Sequence, residues 1–266
     1  MPTDSSTGPK QESVVRTILV ALTVCLVCSI IVASAAVLLK DKQLKNASLD
    51  KKRNILIAAQ LLTASTDIEQ AFANIERRWV DLESGKFVTD NIPSNYDQRQ
   101  AAKDPAASVA IDAKQDLAKI GRRAKVATVY LVKNKGQIET IILPIHGKGL
   151  FSTLYGFIAL KADKQTIVGL KFYEQGETPG LGGEVENPRW LALWPGKKLL
   201  NDEGQPALTL VKGGAKNEYQ VDALSGASMT TRGLQKMIDY WLGEQGFSKF
   251  LKRLDVNSTA AQKGAA

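Results

Sequence analysis

Asp222-Ala-Leu-Ser225-Gly226-Ala227-Ser228-Met-Thr230-Thr231 gathers small and hydroxyl-bearing residues around one glycine, directly after a short apolar strand and directly before an amphipathic helix. Gly and Ala remove steric bulk, so a phosphate can approach the backbone there. The hydroxyls and the free N–H groups at the start of the helix can then bind the anion. The helix is read from Leu234, Met237, Ile238, Trp241 and Leu242, which fall on one face at helical spacing. The hydroxyls of Ser225, Ser228, Thr230 and Thr231 also have a plainer use as N-caps of that helix. Capping and phosphate binding are compatible, because both use the positive helix start. Asp222 either orients a hydroxyl or forms the turn.

Upstream of this turn the chain reads as sheet. Val126–Val132 and Ile138–Leu143 are two strands around Lys133-Asn-Lys-Gly136, a hairpin. Leu154–Leu160 and Ile167–Tyr173 are two more, and a short last strand lies around Tyr219-Gln-Val221. Before them, Ile55, Ile57, Leu61 and Leu62 predict a helix running towards Thr66, and Ile68, Phe72, Ile75 and Trp79 predict a second helix over Asp67–Asp81. The polar stretch Glu83–Asp112, with Pro93 and Pro105, reads as a loop-rich insertion. The fold class is therefore α+β, a largely antiparallel sheet flanked by helices, and Trp79, Trp190, Trp194 and Trp241 are assigned to its core.

No charged residue lies between Arg16 and Lys40, and Thr17–Leu39 is long enough to span a bilayer as a helix, which takes about 20 residues. A cleaved signal peptide is the competing reading, with Ala33-Ser34-Ala35 as the small-residue site, but its apolar stretch runs to only about 7–15 residues. A retained anchor is the better reading. The expected divisions are a tail (1–16), the span (17–39), a helical connector and loop region (40–125), the ligand-binding domain (126–256) and a polar tail (257–266). Lys10 and Arg16 precede the span, whereas Lys40, Lys42, Lys45, Lys51, Lys52 and Arg53 follow it; the positive-inside rule alone puts the large domain in the cytoplasm.

The net charge of +8 is scattered, with no dense basic run among aromatics, so no nucleic-acid partner is expected. Cys25 and Cys28 both fall in the span and His146 is the one histidine, so no metal site or hydrolase triad is expected within this chain. Three glycine-rich segments remain: Leu143-Pro-Ile-His-Gly147-Lys148-Gly149-Leu-Phe151-Ser152, Glu174-Gln-Gly176-Glu177-Thr178-Pro179-Gly180-Leu181-Gly182-Gly183-Glu184, and the Ser225–Ser228 turn. The second is too long for a tight hairpin. It fits neither a P-loop nor a dinucleotide fingerprint, but could offer N–H groups and a flat apolar surface to a planar ring.

The order of these loops behind one span resembles the NqrC family, a membrane subunit of the bacterial Na+-translocating NADH:quinone reductase. The segments carrying the likeness are Leu143-Pro-Ile-His-Gly-Lys-Gly-Leu-Phe, Gly176-Glu-Thr-Pro-Gly-Leu-Gly-Gly-Glu, Lys212-Gly-Gly-Ala, Val221-Asp-Ala-Leu-Ser-Gly-Ala-Ser and Tyr240-Trp-Leu-Gly. Residues 142–242 also resemble the wider FMN-binding domain shared with RnfG of the Rnf electron-transport complex.

The resemblance implies one FMN esterified through its phosphate to a hydroxyl, attached from FAD by a flavin transferase, in a six-subunit inner-membrane complex. That complex couples NADH oxidation and ubiquinone reduction to Na+ export. It implies a globular domain in the periplasm, against the charge bias. The family position of attachment, usually threonine, is Ser228 here, with Thr230 in reserve. Thr178, Leu181 and Gly182 are implied to pack against the flavin ring, Lys212 to lie near its polar edge, and Asp222, Ser225, Gly226 and Ala227 to form the phosphate turn. The chain alone is then an electron carrier and one part of an enzyme. The rival readings are RnfG or another anchored FMN carrier, and an anchored sensor or adhesion domain in which the glycine loops are only turns.

Overall fold

The computed structural model describes residues 13–256 apart from 64, 90, 91, 94 and 202, so the expected polar stretches 1–12 and 257–266 lie outside the described residues. The chain divides after Asp50 into two units. Helix α1, Val14–Ala58, contains the expected 17–39 span. Its most apolar window has a mean hydropathy of 2.8 and is not buried in protein, so it is long and apolar enough to cross a membrane.

The last turns of α1 belong to the second unit, where Ile55, Leu56 and Ala58 are buried. The helix stops at Ala58 and does not continue towards Thr66. Gln60 turns left-handed (φ 56°), while Leu61 N donates to Leu56 O and Gln60 N to Ile57 O. This pair of bonds satisfies the last carbonyls and closes the helix, with glutamine where glycine is usual.

After α1 come α2 (Ile68–Ala73), β1 (Ile75–Asp81), β2 (Phe87–Val88), α3 (Gln98–Lys103), β3 (Ser108–Ala110) and β4 (Arg122–Ala124). The long strands follow as β5 (Val126–Asn134), β6 (Gln137–Lys148), β7 (Thr153–Lys161) and β8 (Ile167–Glu174). A 3-10 turn (Gly182–Glu186), α4 (Pro188–Leu191), β9 (Thr209–Val211), β10 (Gln220–Asp222), α5 (Ser228–Leu242) and α6 (Ser248–Arg253) complete the order. One six-stranded sheet, β2-β1-β5-β6-β7-β8, is antiparallel throughout. Between β5 and β6 the chain reverses through Lys135 and Gly136, both at positive φ (49° and 86°), the two-residue turn that matches strand twist.

Both faces of this sheet are covered, which explains runs such as Ile141-Ile-Leu143 that do not alternate with polar residues. Side chains of a strand point alternately to the two faces. Ala127, Val129, Leu131, Ile141, Leu143, Ile158 and Leu160 thus join one core with Leu234, Met237, Ile238 and Trp241 of α5. Tyr130, Val132, Ile142, Phe157 and Ala159 join another with Ile55, Leu56 and Ala58. The helix end lies hard against β8: a Cβ at Gly169 would sit 2.4 Å from Ala58 O.

Several expectations are corrected. The helix expected over Asp67–Asp81 ends at Ala73, and Ile75–Asp81 is strand β1, paired residue for residue with β5 from Ile75↔Val132 to Asp81↔Val126. The helical spacing of Ile75 and Trp79 is overridden by the buried backbone of β5, whose N–H and C=O groups need a partner on that side. Of residues 40–125, expected as helical connector and loop region, those from 51 on belong to the same unit as the later strands, and β1 and β2 join the sheet. The insertion Glu83–Asp112 holds β2, α3 and β3; Asp97 caps α3, Tyr96 Oη donates to Val126 O, and Arg99 forms a two-pronged pair with Glu174 (2.6 and 2.9 Å). The strand expected near Tyr219–Val221 is β10, which pairs in parallel with β9 outside the large sheet.

Candidate functional site: three loops around one buried carboxylate

The first glycine segment is mostly strand. Leu143 to Lys148 continue β6 in unbroken register with β7, from Leu143↔Ile158 to Lys148↔Thr153, which leaves Gly149–Ser152 as the turn. His146 stacks on Tyr155 at 5.4 Å and lies 4.9 Å from the Trp241 ring. Burial, aided by Arg99, pushes its pKa down to about 4, so it is neutral at pH 7 and serves packing.

The Gly149–Ser152 turn, the Gly176–Gly183 loop and the start of α5 meet at Glu177. This side chain is only 6% exposed, and among the described residues no other carboxylate is buried as deeply. Its Oε1 accepts from Phe151 N (2.9 Å), Ser152 N (2.8 Å) and Ser152 Oγ (3.2 Å). Its Oε2 accepts from Leu150 N (3.1 Å) and Thr230 Oγ1 (2.7 Å). Two glycines make room for it: a Cβ at Gly149 or at Gly182 would come within 2.7 Å of a Glu177 oxygen. Sequence reasoning did not single out Glu177. It stands in a quoted motif beside Glu174 and Glu184, and nothing local distinguishes the buried acid from the others.

Burial pushes the Glu177 carboxyl up, but the bonds from Thr230, Ser152, Leu150 and Phe151 outweigh it and hold the pKa below the ordinary glutamate value of 4.5. A group whose folded pKa is depressed contributes stability that is complete above its unfolded pKa and lost as pH falls through the folded one. The melting temperature should therefore drop below about pH 4.5 more steeply in the wild-type protein than in Glu177→Gln, with the two profiles compared by thermal melts from pH 7 to 3.

The Ser225–Ser228 turn is built on the same frame. Ala227 is the N-cap of α5 and provides no side-chain cap, so the first N–H groups of this helix keep their capacity for an anion. Gly226 adopts φ 72°, and a Cβ there would lie 3.1 Å from Leu181 Cδ2, so the turn touches the second loop through Leu181. Gly182 approaches Thr230 Oγ1 more closely still: a Cβ would fall 2.6 Å away. The Thr178 carbonyl closes the second loop by accepting from Leu181 N and Gly183 N.

Of the four hydroxyls, Ser225 and Ser228 are exposed. Thr230 is 1% exposed and bound to Glu177. Thr231 is also buried; it donates to Ala227 O and accepts from Leu224 N. The Asp222 carboxylate accepts from Ala215 N, and its carbonyl accepts from Trp190 Nε1 (2.8 Å), so Asp222 has the turn-anchoring role. The bond from Ala215 ties the Lys212-Gly-Gly-Ala segment to Asp222, with Lys212 exposed. Leu150, Phe151, Leu181 and Met229 are exposed on the converging segments, and Phe151 is the most open at 65%.

This arrangement fits a phosphate ester of a planar, largely apolar group: an open hydroxyl on the first helical residue, uncapped N–H groups behind it, and apolar side chains around it.

Comparisons with known proteins point to an FMN-binding domain. The FMN-binding domain family matches residues 149–243, a span that begins at the first turn and ends past α5. The NqrC protein of the Na(+)-translocating NADH-quinone reductase of Pseudomonas aeruginosa is 49% identical over 253 residues, covering 92% of this chain and 97% of the relative. That of Vibrio anguillarum is 50% identical over 246 residues, covering 91% and 96%. Among solved structures, Shewanella oneidensis NqrC aligns with a TM-score of 0.72 at 39% identity, covering 78% of this chain and 98% of that one. The corresponding Parabacteroides distasonis protein aligns at 0.64 with 28% identity, covering 82% and 98%.

Proposed function

The chain belongs to the NqrC family of the Na(+)-translocating NADH-quinone reductase, and so to a multi-subunit oxidoreductase; from that premise we propose that it carries FMN bound covalently through a phosphoester to Ser228. The bound flavin supplies reversible electron transfer; the chain's part is to hold it, orient it and tune its surroundings. The RnfG alternative and the non-redox alternative are set aside, because the curated relatives matched over nine-tenths of this chain are NqrC proteins.

The observation that carries the attachment site is the contrast between the hydroxyls. Ser228 opens a 15-residue helix and is exposed, whereas Thr230 and Thr231 are buried and engaged in hydrogen bonds. This contrast supports Ser228 as the acceptor ahead of the reserve, Thr230. The N–H groups at the start of α5 stabilise the ester's negative charge, and Ser225, Gly226 and Ala227 let it approach the backbone. Leu181, with Thr178 and Gly182 in its loop, would lie along the ring, and Lys212 would stand near its polar edge.

In this reading a flavin transferase loads the chain, and the carrier passes electrons between centres on the other proteins of an inner-membrane complex that couples electron flow from NADH to quinone to Na+ export. A tether suits a cofactor exposed to partner centres, which dissociation would otherwise remove. The globular domain is assigned to the periplasm, as the resemblance implies, with α1 as its anchor. Recovery of the peptide Asn217–Arg232 from the native complex with the mass of one added FMN, localised by fragmentation to Ser228, is the expected result. The same peptide at unmodified mass would end the proposal.

A further inference from the structure

We propose that Glu177 is the positioning residue of the flavin site, an inference that rests on the attachment at Ser228. Among the described residues its carboxylate joins the first turn, the second loop and α5. It lies in the second loop, accepts four hydrogen bonds from the Leu150–Ser152 turn and a fifth from Thr230, two residues beyond Ser228 on α5. These contacts join stretches 25 to 53 residues apart in sequence. Local turn chemistry could not hold such segments in register.

The clamp also explains the glycines beside it. Gly149 and Gly182 contribute absent side chains: the carboxylate occupies the places where their Cβ atoms would be. A buried carboxylate is tolerated only when its oxygens are fully partnered. Removing it would leave three backbone N–H groups and the Thr230 hydroxyl without the acceptor they share. The Leu150–Phe151 turn would then lose its fixed relation to Leu181 and to the helix start. A site whose supporting contacts are loose holds its ligand in many orientations.

Glutamine makes an informative contrast with alanine here. Its amide oxygen, placed at Oε1, keeps the bonds from Phe151 N, Ser152 N and Ser152 Oγ. Its NH2 group, placed at Oε2, can donate to Thr230 Oγ1, while Leu150 N loses its acceptor and faces a second donor. Glu177→Gln should therefore keep the clamp closed without the charge, and Glu177→Ala should open it.

The test uses the full-length chain in detergent, flavinylated by co-expression with a flavin transferase. The readout is visible circular dichroism per covalently bound flavin, because an asymmetric signal from the ring requires a fixed protein environment. Glu177→Ala should lose at least about half of the wild-type signal, and Glu177→Gln should keep most of it. Gly149→Ala is the second variant, whose added Cβ displaces the carboxylate while leaving residue 177 intact; it should behave as Glu177→Ala. If Glu177→Ala gives no cooperative melt, the comparison of Gly149→Ala with Glu177→Gln decides.

A wild-type signal in Glu177→Ala or in Gly149→Ala overturns the proposal, as does a loss in Glu177→Gln equal to that in Glu177→Ala. A wild-type chain with FMN on Ser228 but no induced signal overturns the clamp alone. A wild-type chain without flavin on Ser228 overturns the attachment reading, and the clamp with it.

Discussion

Replacing Ser228 with alanine should abolish covalent flavin. The turn offers no second acceptor in reach: Thr230 is 1% exposed with its hydroxyl given to Glu177, and Thr231 spends its hydroxyl on Ala227 O. Ser225 is exposed but precedes Gly226, outside α5. A nucleophilic oxygen must be both placed and accessible for group transfer, and loss of placement alone costs several powers of ten. Ser228→Ala should thus show at least about a twentyfold loss of in-gel flavin fluorescence after denaturation. Ser228→Thr should restore it, since threonine offers a hydroxyl at the same Cβ. Undiminished fluorescence in Ser228→Ala would move the ester elsewhere and remove the basis for the site described above.

Trp241→Ala should cause the largest loss of stability. The side chain is fully buried, its Nε1 donates to His146 O at 2.6 Å, and its ring contacts His146, Tyr240 and Phe247. It fastens the C-terminal part of α5 to β6, while the close passage of Gly233 over Lys148 fastens the N-terminal part; a Cβ at Gly233 would lie 2.3 Å from Lys148 O. Large-to-small changes of this kind cost about 3–5 kcal/mol, through lost burial and the cavity left behind. Trp241→Phe keeps much of the volume and removes the hydrogen bond, leaving His146 O without its donor, for which about 1–3 kcal/mol is expected. Chemical denaturation of both variants in detergent measures the two contributions. Near-equal stabilities for wild type and Trp241→Ala would mean that α5 is held by other contacts.

Much of this architecture was legible in the residues. The four long strands and α5 were placed within a few residues because hydrophobic pattern and turn chemistry agreed there: Lys135-Gly136 in the hairpin, and Leu234, Met237, Ile238 and Trp241 on one helix face. The same reasoning failed at Ile75–Asp81, where spacing compatible with a helix lay in a segment that completes the sheet beside β5. It also missed α6, whose six residues are too few to show a period, although Phe250 and Leu251 are buried.

For the site, the sequence by itself determined the chemistry on offer: small residues and hydroxyls at the head of an amphipathic helix, a glycine-dense loop, and an apolar segment long enough to span a bilayer. These are properties of residue type and spacing along one stretch of chain. Only the tertiary structure decided which hydroxyl is free, which carboxylate is buried, and which loops meet. Accessibility and hydrogen bonding across 25 to 53 residues depend on how distant segments pack, and no local pattern encodes that. Glu177 and Glu174 have the same side chain three positions apart; one is buried against Thr230 of α5 and the other pairs with Arg99 at the surface.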